Sequence, residues 1–174
     1  MKLRMKLLIV LLLLITAAAV TVTAVVLLRD PGDSQTSTLA PDYAPIEKEE
    51  YAESIPEDTG DKMQSEEGGG SVSLTYAAEV TVTLSEEKAS LMFANPGRSN
   101  QDMLLQIMVQ DTVIATSGLL QPGNRITTLA LDEGAAALLE AGGYNGMFVV
   151  SYYNPETGEK AVLNTEIPIR IIVR

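Results

Sequence analysis

The feature that most constrains the fold is a strict alternation of apolar and polar residues over positions 72 to 84. Successive side chains of a strand point to opposite faces, so an alternation of this length predicts a half-buried β-strand. Ala77 and Ala78 interrupt the large side chains, and we expect the strand to bend there between two sheets. The apolar positions are Val72, Leu74, Tyr76, Ala78, Val80, Val82 and Leu84.

The same period continues along the chain, and turn residues interrupt it about every ten positions. Asn95-Pro96-Gly97 and Gln121-Pro122-Gly123-Asn124 are clear breaks, and one or two helical turns are expected over 135–140. This pattern predicts a mainly β domain of about seven strands, which is typical of an antiparallel immunoglobulin-like sandwich. The later predicted strands cover 89–93, 103–110, 112–117, 125–131, 144–153 and 159–173.

One local motif supports this fold. Tyr144 follows Leu139-Glu-Ala-Gly-Gly and opens the penultimate predicted strand, in which Phe148, Val150 and Tyr152 alternate. The motif resembles the tyrosine corner of immunoglobulin-like and fibronectin-type-III-like domains, which implies that the Tyr144 hydroxyl returns to nearby backbone. The whole layout also resembles membrane-anchored envelope proteins of Gram-positive bacteria. That resemblance implies a location outside the cytoplasm, not an activity.

An uncharged apolar run of 22 residues, Leu7–Leu28, precedes the β-rich part. As a helix it would be about 33 Å long, enough to cross a hydrocarbon core of about 30 Å. Lys2, Arg4 and Lys6 lie on its N-terminal side. By the positive-inside rule we expect a single-pass signal anchor over residues 1–29, with a cytoplasmic tip and an extracytoplasmic C-terminal domain. The alternative is a cleaved signal peptide, with small residues at Ala17–Ala19 or Val22–Ala24 for the cleavage site.

Residues 30–71 separate the apolar run from the β domain. They contain twelve acidic residues and two lysines, and prolines at positions 31, 41, 45 and 56. Such a composition buries too little apolar surface to offset the entropy of ordering. It predicts a disordered acidic linker between the anchor and a β-sandwich ectodomain over residues 72–174.

Composition excludes several function classes. The formal net charge of −11 argues against nucleic-acid binding, which needs a basic surface. The chain has no cysteine and no histidine, so the commonest nucleophiles, general bases and metal ligands are missing. We therefore expect no enzyme activity, no cofactor and no metal site.

Alternation also predicts a candidate partner-binding face. If Leu105, Ile107 and Val109 point into the core, residues between them point outward, and the same holds for the last two predicted strands. Together these outward residues would form an exposed apolar patch, which often marks an interaction site. The predicted face consists of Leu104, Met108, Met147, Val149, Tyr153 and Ile172.

Two function classes follow from these expectations. The first is a membrane-anchored module that binds a protein partner in the cell envelope. The second is an ectodomain that binds a small ligand or glycan through its loops, including 95–101 and 121–124. Scarce aromatic residues, with no Trp and two Phe, count against glycan stacking in the second class.

Overall fold

The computed structural model describes residues 40–58, 60–65 and 69–174. The predicted membrane helix Leu7–Leu28 lies outside the described residues, as does the predicted cytoplasmic tip. No helix within the described ranges is long and apolar enough to cross a membrane.

The described ranges form nine β-strands and two short 3-10 helices, Leu84–Glu86 and Ala135–Leu138. The second helix lies within the segment where a helical turn was predicted. The strands are β1 (Glu53–Ser54), β2 (Thr75–Tyr76), β3 (Glu79–Thr83), β4 (Lys88–Asn95), β5 (Asp102–Val109), β6 (Thr112–Thr116), β7 (Asn124–Ala130), β8 (Gly142–Tyr153) and β9 (Lys160–Val173).

The strands form one continuous path in the order β1-β7-β4-β3-β9-β8-β5-β6, with β2 added beside β4. The sheet curls into a half-barrel, so that β6 contacts β7 near the other end of the order. Strands β3 and β9 run parallel, whereas the other paired strands of the described residues run antiparallel. The mainly β class is therefore confirmed.

The strand count differs from the predicted seven for two reasons. The first predicted strand is divided: β2 pairs with β4, and β3 pairs with both β4 and β9. The division falls at Ala77 and Ala78, where the sequence predicted a bend. Strand β3 pairs with β4 on one side and with β9 on the other. Hydrogen bonds therefore connect β1, β2, β4 and β7 with β5, β6, β8 and β9 in one curled sheet instead of two separate sheets. The ninth strand, β1, comes from the predicted linker.

The inner face of the half-barrel is the hydrophobic core. Phe93 and Phe148 meet edge to face at its centre, with ring centroids 5.9 Å apart. The residues predicted to point inward, among them Leu105, Ile107 and Val150, are buried there. The alternation of strands β3, β5, β8 and β9 thus predicted which side chains form the core.

The predicted tyrosine corner is present as a pair of hydrogen bonds. The Tyr144 hydroxyl donates to the carbonyl oxygen of Glu140 at 2.9 Å and accepts from the Glu140 N–H at 3.1 Å. The ring packs against the core cluster from its edge. One side chain therefore ties the start of β8 to the turn that follows the second 3-10 helix.

Tyr144→Phe is expected to lower the free energy of unfolding by about 0.5–1.5 kcal/mol, because it removes both hydrogen bonds and retains the ring. Tyr43→Phe is the matched control, since the Tyr43 hydroxyl has no hydrogen-bond partner among the described residues. Urea unfolding of both variants measures the difference. Equal midpoints for the two variants would show that the corner contributes nothing to stability.

Residues 40–58, here called the strap, lie against the body. The Lys160 ammonium donates to the Ala40 carbonyl at 2.8 Å, and the Ala44 N–H donates to Gly158 O at 2.8 Å. Further along, β1 pairs with β7. The predicted disordered linker is therefore wrong for the strap, and the described residues on both sides of the predicted boundary at position 72 belong to one compact unit. Hydrogen bonds from backbone and side-chain groups hold this segment, and Ala40 and Ala44 also pack against the body.

The centre of the strap depends on one glycine and one carboxylate. Glu49 is buried, and its carboxylate accepts from the Gly118 N–H at 2.7 Å and the Tyr51 N–H at 3.0 Å. A Cβ at position 118 would lie 2.7 Å from Glu49 N and from Lys48 C. Only glycine therefore allows the strap backbone to approach this closely.

Candidate functional site

The strap covers part of the predicted partner-binding face. Leu104 is 2% exposed and Tyr153 is fully buried, and both pack with Ala40, Ala44 and Leu119. The prediction that Leu104 and Tyr153 are exposed is therefore wrong. Their side chains do leave the core face of the sheet, but the chain's own strap covers them.

The Tyr153 hydroxyl contributes to this cover. It donates to the Pro41 carbonyl oxygen at 2.9 Å. Burial, and secondarily the negative charge of Asp42, raises the pKa of Tyr153 to about 12. The hydroxyl is therefore protonated over the whole physiological pH range and acts as a permanent donor to the strap.

The structure brings together three of the other predicted residues. Met108 lies directly opposite Met147, and Val149 is two positions further along β8. All three are half-buried. Ile172 is also half-buried, and it pairs with Gly143 of β8. Leu104 pairs with Ser151, which is eight residues further along the same strand. At about 3.3 Å per residue, Ile172 therefore lies about 26 Å from Leu104 along the sheet. The six predicted residues do not form one patch.

The loop end of the body contains a polar concavity of about 630 Å³. Its walls include four loop segments, and two of them coincide with the segments expected to bind a ligand in the alternative prediction. The lining is rich in side-chain amides. It consists of Lys62, Ser65, Gly69, Asn100, Gln101, Asp102, Gln121, Pro122, Asn124, Asn154, Pro155 and Glu156.

Asp102 is the unusual member of this lining. It is 4% exposed, and its Oδ1 has no hydrogen-bond partner among the described residues. Burial raises the pKa of Asp102, and the positive charges of Lys48 and Lys62 oppose that effect. A buried acceptor without a donor is costly.

The pH dependence of stability tests the buried state of Asp102. Its raised folded-state pKa means that the folded protein binds a proton before the unfolded chain does as the pH falls. Asp102→Asn removes the buried charge, so the variant should gain stability over the wild type as the pH rises from about 4 to about 7. Urea unfolding at several pH values measures this gain. A difference that does not change with pH would show that Asp102 is solvated.

Sequence reasoning missed Asp102, Glu49 and Gly118. It placed Glu49 in the predicted disordered linker and assigned no role to Asp102 or Gly118. The position of Asp102 directly before the buried run of β5 was a usable signal. Nothing in the sequence pattern around Glu49 or Gly118 indicates that a segment 69 residues away lies against position 118.

The chemistry available in the concavity is hydrogen bonding by amides, carboxylates and one ammonium. No group of three or more acidic side chains placed to hold a metal ion occurs within the described ranges. The arrangement fits recognition of a polar molecule through several hydrogen bonds.

Comparisons with known proteins give little further information. No protein-family model matches the sequence, and no curated protein matches it. Among solved structures, the chain is similar to AggA, the major subunit of aggregative adherence fimbriae type I from Escherichia coli. The two are 13% identical, and the match covers 66% of this chain and 100% of AggA with a TM-score of 0.31. A likeness of that degree establishes no family.

Proposed function

We propose that this chain is a single-pass membrane protein whose β domain acts outside the cytoplasm as an interaction or structural module of the cell envelope, without catalysis. The observation that carries the location is the uncharged run Leu7–Leu28 with basic residues on its N-terminal side. The described body adds a β surface on which Met108 and Met147 are opposite each other and partly accessible. Methionine suits adaptable protein contacts.

Within this proposal the body is an immunoglobulin-like domain. Two features support that fold: the first predicted strand is interrupted between β2 and β3, and β3 runs parallel to the last strand. The hydrogen-bonded Tyr144 corner is a third. The strap is then an addition to the sandwich that covers part of one outer face.

Protease treatment of intact cells from which the wall has been removed tests the topology. The proposal expects release of a fragment that contains the body, while a stub remains in the membrane fraction. A body that is protected until the cells are lysed would contradict the orientation. A soluble native protein that begins near Val20 or Val25 would replace the anchor with a cleaved signal peptide.

The second candidate function is binding of a small polar ligand or glycan at the loop end. Asp102 favours it, because this residue lines the concavity and one of its carboxylate oxygens is buried without a donor among the described residues. A glycan array probed with the full chain in detergent, beside Asp102→Asn, tests this candidate. Binding by the wild type alone would support it, and equal signals from the two proteins would contradict it.

A further inference from the structure

Four large apolar side chains are exposed near one end of the body. Ile46 and Val162 are fully exposed, Leu163 is 77% exposed and Tyr43 is 65% exposed. Tyr43 and Val162 line one shallow groove, where the strap bridges to the start of β9. Leu163 is the next residue of the strand, and Ile46 is three residues further along the strap. These four residues are called the apolar end.

The apolar end lies where the chain enters the body from the predicted anchor. Ala40 is held there by the Lys160 ammonium, and Lys160 N–H donates to the Asp42 carbonyl at 3.0 Å. Eleven residues separate Leu28 from Ala40, and eleven residues span at most about 40 Å. The opposite end of β8 is about 40 Å further away, because the strand has 12 residues.

We propose that the apolar end rests in the interface of a bilayer with neutral, zwitterionic headgroups. This inference rests on the proposed membrane anchor. Tyrosine is enriched at membrane interfaces, and exposed aliphatic side chains gain from leaving water there. Asp42 and Glu159 lie beside Tyr43 and Val162 and are acidic, while the Lys160 ammonium is occupied by the Ala40 carbonyl. This charge pattern fits zwitterionic lipids in preference to anionic ones.

The absence of cysteine makes a site-specific test direct. Leu163→Cys in the full chain, labelled with an environment-sensitive fluorophore, is reconstituted into phosphatidylcholine vesicles that contain lipid-bound quenchers. Leu138→Cys is the matched control, because Leu138 is 61% exposed and lies just before β8, at its opposite end. We expect a blue-shifted emission at position 163 and quenching several-fold stronger than at position 138.

Flotation of the vesicles distinguishes failure of the proposed anchor from failure of the proposed lipid contact. If the chain floats with the vesicles and the two probes are quenched equally, the lipid contact is wrong while the anchor stands. If the chain does not float with the vesicles, both the anchor and the contact are wrong. In a second variant, Val162→Asp beside the label at position 163, quenching should fall with no change in the melting temperature. Unchanged quenching there would also overturn the contact.

Discussion

Gly118→Val is expected to displace the strap and to lower the free energy of unfolding by about 2–4 kcal/mol. The valine side chain has no space, because a Cβ alone would already lie 2.7 Å from the strap backbone. Displacement also removes the Gly118 N–H from the buried Glu49 carboxylate. Urea unfolding measures the loss, and limited proteolysis should show new cleavage within residues 40–58.

Gly143→Val is the control for the change of residue type. A Cβ at position 143 meets nothing within 4 Å, so this variant should unfold at nearly the wild-type midpoint. Equal stability of the two variants, with no cleavage in the strap, would show that the strap does not lie on Gly118.

Leu104→Glu is expected to cost about 4 kcal/mol or more and to leave much of the protein unfolded, because it buries a carboxylate without a partner. Met108→Glu changes the same face of the same strand four residues further along, where the side chain is half-exposed. It should cost less than about 1 kcal/mol. Circular dichroism during thermal unfolding compares the two variants.

Comparison of these two variants distinguishes the effect of cover by the strap from the effect of the position on the sheet. Both residues point away from the core, and only Leu104 lies under Ala40 and Ala44. If Leu104→Glu is tolerated as well as Met108→Glu, the strap does not cover Leu104 in solution, and the predicted partner-binding face is open at that end.

The core strands were predictable because alternation carries the information locally. Val80, Val82, Leu105 and Ile107 are buried where the period-two pattern places them. The Tyr144 corner was also predictable, because its hydrogen bonds join residues four positions apart. In each case a few neighbouring residues determine the structure.

The strap was not predictable, because its composition is that of a disordered segment and its partners are far away in sequence. Ala44 bonds to Gly158, and Ile55 bonds to Gly123. Backbone hydrogen bonds leave no pattern in side-chain type, so composition and periodicity do not reveal them. Leu104 and Tyr153 were predicted to be exposed for the same reason. Alternation shows to which face of a sheet a side chain points, but it does not show what covers that face.

Only the positions of two of the loops that line the concavity were predictable from the sequence. Turn residues located the loops around positions 95–101 and 121–124, and the structure brings both to one end of the body. The burial of Asp102 depends on loops that come from distant parts of the chain. Residue type alone therefore indicated a solvated acid.

Hydrogen exchange at the strap amides tests most directly whether residues 40–58 belong to the folded body. The N–H groups of Ala44, Glu49 and Ile55 are bonded to body carbonyls, and that of Leu120, within the body, serves as the reference. We predict exchange at least about 100-fold slower than in an unstructured peptide at all three strap positions. Exchange at unstructured-peptide rates in the strap, with Leu120 still protected, would contradict it.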